Sequence, residues 1–387
     1  MALLSAPIAG RVLVLNAGSA TLKGTVLDLP DETALFEQTI DWSAAAPPAE
    51  RRAAINAVLD AAAADAGIAP ESLAAVAHRV VHGGERFSAP VRIDDEVIDA
   101  LTRVVDLAPL HNPLAVATIE AARERLPSTP QVALFDTAFH ATMPLAARRY
   151  PVPDRWTIDY GIRRYGFHGL SVEWAVGRAS SLLDRPVDAL RLVVAHLGGG
   201  CSVTAVEAGR SIDTSMGLTP LEGLMMGTRA GSIDPGIVFR LLRAGLPADD
   251  IERDLDHGSG LLGVGGSADM RALEGAAADG DERARMAIAL FVRRAAAGIA
   301  AAVTTLPSID AIVFTGGIGE HAVAVRRAIC ERLGSMGVPV PPTEPVGGAE
   351  RDAVIAAASD GVAILRVHAR EDVVMARGAI TALTTRP

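Results

Sequence analysis

A strand, turn and strand pattern occurs twice in this chain, and that repeat limits the possible folds more than any other feature. Residues 11–15 form a continuous apolar run (R-V-L-V-L), Asn16-Ala17-Gly18-Ser19 is turn-like, and over 21–29 small or polar residues alternate with apolar ones. About 180 residues later, residues 190–206 (L-R-L-V-V-A-H-L-G-G-G-C-S-V-T-A-V) repeat the order of apolar strand, glycine turn and alternating strand. Each reads as a β-hairpin that opens a sheet. Two copies at this distance predict a duplicated α/β fold with one copy per domain. The length agrees, because 387 residues exceed the size at which one hydrophobic core stops growing. A third, related stretch, 311–320 (A-I-V-F-T-G-G-I-G-E), is a buried strand entering a glycine turn and then a helix over 321–333. The backbone amides of such a turn can meet a nucleotide.

Composition narrows the function classes. Apolar residues make up 50% of the chain and aromatic ones only 4%, which describes tightly packed helices in a globular protein. The formal charge of -10 disfavours nucleic acid and anionic membrane as partners, since both need a basic face. An anionic ligand is then held locally, by a few placed cations. Cys201 and Cys330 cannot make a disulfide framework, and residues 1–7 lack the charged start and apolar core of a signal peptide. No apolar run approaches roughly 18 residues without Gly, Pro or charge, so no spanning helix is expected and the cytoplasm is the expected compartment.

The glycine- and proline-rich stretch 215–236 (S-M-G-L-T-P-L-E-G-L-M-M-G-T-R-A-G-S-I-D-P-G) is hard to read as helix or strand. Its one cation, Arg229, sits among Gly227, Thr228 and Gly231, small enough to let a guanidinium approach a phosphate or carboxylate; the alternative is an internal linker. At the first hairpin tip, Asn16, Ser19, Thr21 and Lys23 form either a phosphate cradle or an ordinary polar turn. A strand over 73–81 puts Arg79 and Val81 on one face and His78 and His82 on the other. With no carboxylate or cysteine to complete a metal set, packing or hydrogen bonding is the better reading of the two histidines. Residues 94–108 read as helix, and His111 falls in a Pro-bracketed loop. The strand 131–136 ends on Asp136, where an α/β sheet faces its ligand crevice and where a magnesium-nucleotide site wants a carboxylate. His168, in R-R-Y-G-F-H-G, can donate to a reacting oxygen or be a satisfied loop histidine. The extended Tyr150-Pro151-Val152-Pro153 marks the domain boundary, and Glu371 and Asp372 read locally as a helix cap. Residues 258–263 match G-x-G-x-x-G, but a polar helical run precedes them instead of a buried strand, so no dinucleotide site is expected there.

Taken together, V-L-V-L-N-A-G-S, H-R-V-V-H-G-G-E, L-A-P-L-H-N-P, F-D-T-A-F-H, R-R-Y-G-F-H-G, the 215–236 stretch and F-T-G-G-I-G-E resemble the acetate kinase family, nearly end to end and in order. That family belongs to the acetate and sugar kinase, Hsp70 and actin superfamily. The resemblance implies two domains with actin-like (ribonuclease H-like) cores and an interdomain cleft, the first domain comprising 1–150 plus 371–387 and the second 151–370. It implies reversible phosphoryl transfer between ATP and acetate, giving acetyl phosphate and ADP with magnesium, or manganese in its place, in a cytoplasmic homodimer. Arg79 and Arg229 would hold the substrate carboxylate and the transferring phosphoryl group, His168 would stabilise that group in the transition state, and Asn16, Asp136 and Glu371 would serve the metal. Val81, Leu110, Phe167 and Pro220 match the family's acyl pocket. Asn16, Ser19, Thr21, Lys23, His196, Gly198, Gly199, Gly200, Gly316, Gly317, Ile318, Gly319 and Glu320 match its ATP and phosphate contacts.

The chain departs from the family at Thr21 (usually Ser), Gly199 (usually Asn), Ser232 (usually Asp) and His321 (usually Asn). Leu170 and Val172, where Thr and His are commoner, read as helix packing. Two rivals stand beside this reading: a propionate or butyrate kinase with a wider acyl pocket, and a non-catalytic nucleotide-binding module with the same hairpins.

Overall fold

The computed structural model describes residues 9–18, 21–42, 47–108, 111–343, 351–358 and 361–384. Ser19 and Leu110 lie outside the described residues. The chain divides into two compact units, residues 1–139 with 370–387, and residues 140–369. Each is built on a six-stranded sheet.

In the first unit the strands are β1 (Gly10–Ala17), β2 (Thr21–Leu29), β3 (Thr33–Asp41), β4 (Leu73–Val80), β5 (Val91–Arg92) and β6 (Gln131–Phe135), in the order β3-β2-β1-β4-β6-β5. In the second they are β7 (Arg191–Leu197), β8 (Cys201–Glu207), β9 (Arg210–Thr214), β10 (Ala311–Thr315), β11 (Ala353–Ala357) and β12 (Ala363–Arg366), in the order β9-β8-β7-β10-β12-β11. The two orders correspond strand for strand, and so do the senses. β1 and β7 each pair antiparallel with the next strand and parallel with β4 and β10. Those run parallel to β6 and β12, which each carry an antiparallel edge strand. The hairpin repeat read from the sequence is therefore the start of a whole-sheet duplication.

Burial explains the apolar runs. β6 and β10 are buried along their full length, as expected of central parallel strands covered on both faces. In the first unit Ile55, Val58, Leu59 and Ala62 of the helix Pro48–Ala66 close over Leu13, Leu15, Val26 and Val76. In the second unit the helix Glu282–Val303 is, among the described residues, the one helix long and apolar enough to cross a membrane. It buries Ala284, Ala287, Phe291, Ala295 and Ile299 at helical spacing and packs on β7 and β8, while Arg293 and Arg294 are exposed. That is the placement of a core helix in a layered α/β unit.

Several boundaries differ from the sequence reading. The first unit ends at Phe139, not at Tyr150, because the following residues are bonded into the second. The buried His140 shares hydrogen bonds with Ser211 Oγ (3.0 Å) and the Phe167 carbonyl (2.9 Å), and the Tyr150 hydroxyl accepts from the Leu218 N–H (2.9 Å). The helix Glu371–Thr384 packs on β1, β4 and β6 of the first unit. β4 stops at Val80, since the Asn112 side chain then takes the backbone of His82 from both sides, accepting its N–H (3.1 Å) and donating to its carbonyl (2.9 Å). Val81 thus lies beyond the strand, and strict alternation does not reach His82. His78 Nε2 bonds Gln131 Oε1 (2.7 Å) and His82 Nδ1 accepts from the Gly84 N–H (2.9 Å). The helix expected over 94–108 runs from Asp95 to Arg103 with Asp94 as its cap, and a short 3-10 turn follows. The helix expected over 321–333 begins earlier, as Gly316–His321, and resumes as Val323–Arg332.

Candidate active site

In the first unit, β1, β4 and β6 bring their carboxyl ends to one edge of the sheet, where ligands of α/β sheets bind. Leu15 pairs with His78, so Asn16 comes beside Arg79, and Asp136 follows the last residue of β6. The Arg79 guanidinium grips Asp136 bidentately, Nε to Oδ1 at 2.9 Å and Nη2 to Oδ2 at 2.6 Å. Its Nη1 donates to Asn16 Oδ1 at 3.2 Å and lies 3.7 Å from Glu371 Oε2. Burial works against the charge of Arg79, but Asp136 and Glu371 outweigh it and raise the pKa above the ordinary arginine value. Four residues far apart in sequence therefore form one polar group. Glu371, a helix cap on local sequence grounds, faces Arg79, and the neighbouring Asp372 binds Arg370. Lys23 stands directly across the hairpin from Asn16, but its Nζ pairs with Glu37 Oε2 at 2.9 Å. Thr21 closes the hairpin turn, its carbonyl accepting from the Gly18 N–H (2.8 Å).

In the second unit, His168 precedes the helix Gly169–Leu183 with φ 60° and ψ 21°, a left-handed conformation that non-glycine residues adopt at a cost of order 1–3 kcal/mol. Its Nδ1 shares a hydrogen bond with Ser202 Oγ (3.0 Å), and its ring lies 4.4 Å from that of His196. The opposite side of the ring faces Gly200. A methyl group there would stand 3.0 Å from His168 Nε2 and 3.9 Å from Arg229 Nη1, so the missing side chain leaves the space on which both groups converge. Arg229 is anchored by Asp256, Nε to Oδ1 at 3.4 Å; burial lowers its pKa while Asp256 acts in the opposite direction. Its loop closes tightly at Gly231 (φ 72°), where a Cβ would lie 2.3 Å from the Leu224 carbonyl oxygen.

Two glycine turns lie against each other beside this pair. A Cβ on Gly198 would be 3.6 Å from the Gly317 nitrogen, whereas one on Gly199 or Gly317 would meet nothing among the described residues within 4 Å. Ile318 and Gly319 continue from the second turn within the helix Gly316–His321. Glu320, among the expected nucleotide contacts, also shapes the turn itself. Its Oε1 accepts from the N–H of Gly316 (2.9 Å) and of Ala369 (3.0 Å), so it holds the turn in shape. The buried Arg326 completes this, donating from Nη1 to the carbonyls of Gly319 (2.8 Å) and Glu320 (2.7 Å). Of the expected acyl-pocket residues, Phe167 and Pro220 are in the second unit, buried and half-buried, and Val81 is half-buried in the first.

Ser202, Asp256 and Arg326 were not singled out from the sequence. The signal for Ser202 was the hairpin register, which sets it opposite His196; Asp256 and Arg326 lie on helices and left none.

A duplicated mixed sheet, with a carboxylate-gripping arginine group on one copy and glycine turns beside a histidine and an arginine on the other, defines a phosphotransferase of the kinase class. The Acetokinase family model matches residues 11–377, and the chain belongs to that family. An acetate kinase from Deinococcus deserti is 46% identical over 384 residues, 94% of this chain and 96% of its own length. Among solved structures, the acetate kinase of Porphyromonas gingivalis matches with a TM-score of 0.85 at 33% identity, covering 97% of this chain and 100% of that one. A propionate kinase from Francisella tularensis matches with 0.86 at 34%, covering 95% and 98%.

Proposed function

We propose that the chain catalyses reversible transfer of the γ-phosphoryl group of ATP to acetate, giving acetyl phosphate and ADP in a direct in-line step. The observation that carries this reading is the convergence of His168 and Arg229 over Gly200, beside the two glycine turns. In-line transfer spreads charge over the equatorial oxygens of the moving group, and fixed donors aimed there do most of the catalytic work. His168 Nε2 and Arg229 supply such donors, and no residue is asked to be a nucleophile. Gly198, Gly199, Gly200, Gly316, Gly317, Ile318 and Gly319 offer backbone to the nucleotide, with Thr21 and Lys23 on the phosphate side. Arg79 binds the acceptor: the group that it grips bidentately, Asp136, is a carboxylate like the substrate's.

The oxygen-only set of Asn16, Asp136 and Glu371, gathered on one guanidinium, fits a hard cation, and Mg²⁺ usually takes one or two carboxylates together with substrate phosphates. When bound there, Mg²⁺ supplies charge neutralisation at the phosphate oxygens. The family resemblance extends to a cytoplasmic homodimer, which sedimentation of the purified protein checks.

The likeness to a propionate kinase keeps a wider acyl specificity as the second reading. Hydroxylamine trapping of acyl phosphate from ATP, Mg²⁺ and a series of short carboxylic acids tests both. The expected order in kcat/KM is acetate, propionate, butyrate. A closed pocket produces that order because forcing extra carbon into packed surroundings costs about 1–3 kcal/mol. An open pocket reverses it, at roughly 0.8 kcal/mol gained per buried methylene. Val81→Ala removes two methyl groups close to Arg79 and is expected to narrow or invert the order. A wild type that prefers butyrate, or a variant with unchanged ratios, would disprove the pocket. ATP binding without ADP formation in the presence of any acid would instead indicate a non-catalytic nucleotide-binding module.

A further inference from the structure

We propose that Glu222 is a positioning residue for acyl selectivity: clasped between Arg164 and the Tyr150 hydroxyl, it pins the turn that carries Pro220 to the segment leading into His168. The inference rests on the phosphotransferase reading above and adds to it a residue that need not touch a substrate.

Arg164 is the hub of the clasp. Its Nη1 donates to three successive carbonyls, those of Thr214 (2.9 Å), Ser215 (3.0 Å) and Met216 (3.0 Å), while its Nη2 donates to Glu222 Oε1 at 2.9 Å. The next carbonyl, that of Gly217, accepts from the N–H of Tyr165 (3.0 Å) and of Gly166 (3.3 Å). The backbone over 214–217 is thus bound, carbonyl by carbonyl, to 164–166, immediately ahead of Phe167 and His168. On the far side the Tyr150 hydroxyl donates to Glu222 Oε2 and accepts from the Leu218 N–H at 2.9 Å. Burial and the Glu222 carboxylate both raise the Tyr150 pKa, which keeps the phenol a donor.

Pro220 lies between these two anchors, Leu218 before it and Glu222 after it. Gly217 makes the arrangement possible, since a Cβ there would lie 1.7 Å from Glu222 Oε2 and 2.0 Å from the Tyr150 oxygen. Gly223 (φ 107°) then brings the chain back within 2.7 Å of the Ser215 carbonyl, measured from a Cβ at that position. Glu222 is the group that Arg164 and the Tyr150 hydroxyl hold in common, so its loss should release the turn and not merely delete one contact. The glycine turns are held by a different carboxylate, Glu320, so the effect should fall on the acid and spare ATP.

The test uses the full chain with Glu222→Gln, Glu222→Ala and Tyr150→Phe, measuring kcat/KM for acetate, propionate and butyrate and KM for ATP. Glu222→Gln keeps the shape and loses the charge, and kcat/KM for acetate should fall on the order of tenfold, with the butyrate-to-acetate ratio rising severalfold. Glu222→Ala should go further in both measures, with KM for ATP within about twofold of wild type throughout. Tyr150→Phe removes a single partner and decides the matter if Glu222→Ala does not fold. Unchanged acyl ratios in folded variants, or a KM for ATP that rises in step with that for the acid, would overturn the proposal. If the wild type makes no acyl phosphate from any acid, the functional reading fails instead, and amide hydrogen exchange judges the clasp. Tyr165, Gly166 and Leu218 should then exchange on the order of tenfold faster in Glu222→Gln and Tyr150→Phe, and equal exchange would overturn it.

Discussion

Arg79 and Arg229 are both part-buried arginines, yet they are held in opposite ways. Arg79 is held by a bidentate carboxylate, with the oxygens of Asn16 and Glu371 beside it, and its charge is stabilised above the ordinary value. Arg229 has one long ion contact, 3.4 Å to Asp256, and burial weakens its hold on the proton. A guanidinium in the second state gains most from negative charge that develops nearby, because it is partly desolvated and weakly compensated. Arg229→Ala should therefore lower kcat on the order of 10²-fold or more while leaving the circular dichroism spectrum and KM for ATP close to wild type. Arg229→Lys should recover little, since a point charge does not reproduce the planar fork. Normal turnover in folded Arg229→Ala would remove Arg229 from the mechanism.

At the scale of the element, the β7–β8 turn shows three adjacent glycines with three different surroundings. Gly198 lies against Gly317, Gly200 against His168, and Gly199 against none of the described residues within 4 Å. Gly199 is not among the glycines with a positive φ, so its backbone does not demand glycine. Gly199→Asn should accordingly leave thermal stability unchanged while adding an amide at a turn that the proposed function assigns to the nucleotide, and KM for ATP or the preference among phosphate donors should shift. Gly200→Ala is the converse: its methyl group, 3.0 Å from His168 Nε2, should displace the imidazole and lower kcat. Steady-state constants with several phosphate donors check both, and equal constants for Gly199→Asn would show that the site has no use for the amide. Ser232, another departure, has a plain structural role, since its hydroxyl accepts from the Gly223 N–H (3.1 Å) and its own N–H donates to the Gly223 carbonyl (2.9 Å).

Across the whole molecule, what could be read from the sequence divides by the range of the interactions. Both hairpins and the buried strands were legible because period-two alternation and continuous apolar runs are local signals. The end of β4 was not, because Asn112, thirty residues away in sequence, supplies the bonds that replace its ladder. The place of Glu320 was hidden for the same reason, its second partner being Ala369. Residue types at motif positions named the groups, whereas side-chain bonds over long sequence separations decided what each one holds.

The buried histidines make the stability of both units depend on pH. His78 in the first unit and His140 in the second are each pushed down to about 4 by burial, against the opposing hydrogen bonds to Gln131 and the Phe167 carbonyl. In the unfolded chain a histidine titrates near 6.5, roughly, so between about pH 4 and 6.5 the unfolded state binds more protons and stability rises with pH. The contribution is complete above about pH 6.5 and drains away as the pH falls toward 4, at most on the order of 3 kcal/mol for each histidine. At pH 5 the loss should be roughly 2 kcal/mol per group relative to pH 7. His78→Gln removes one titrating group and keeps a hydrogen-bonding side chain beside Gln131. The variant should be less stable than wild type at pH 7 but lose less on going to pH 5, which urea midpoints at the two pH values measure. Equal losses in the two proteins would show that His78 is not kept neutral by the fold.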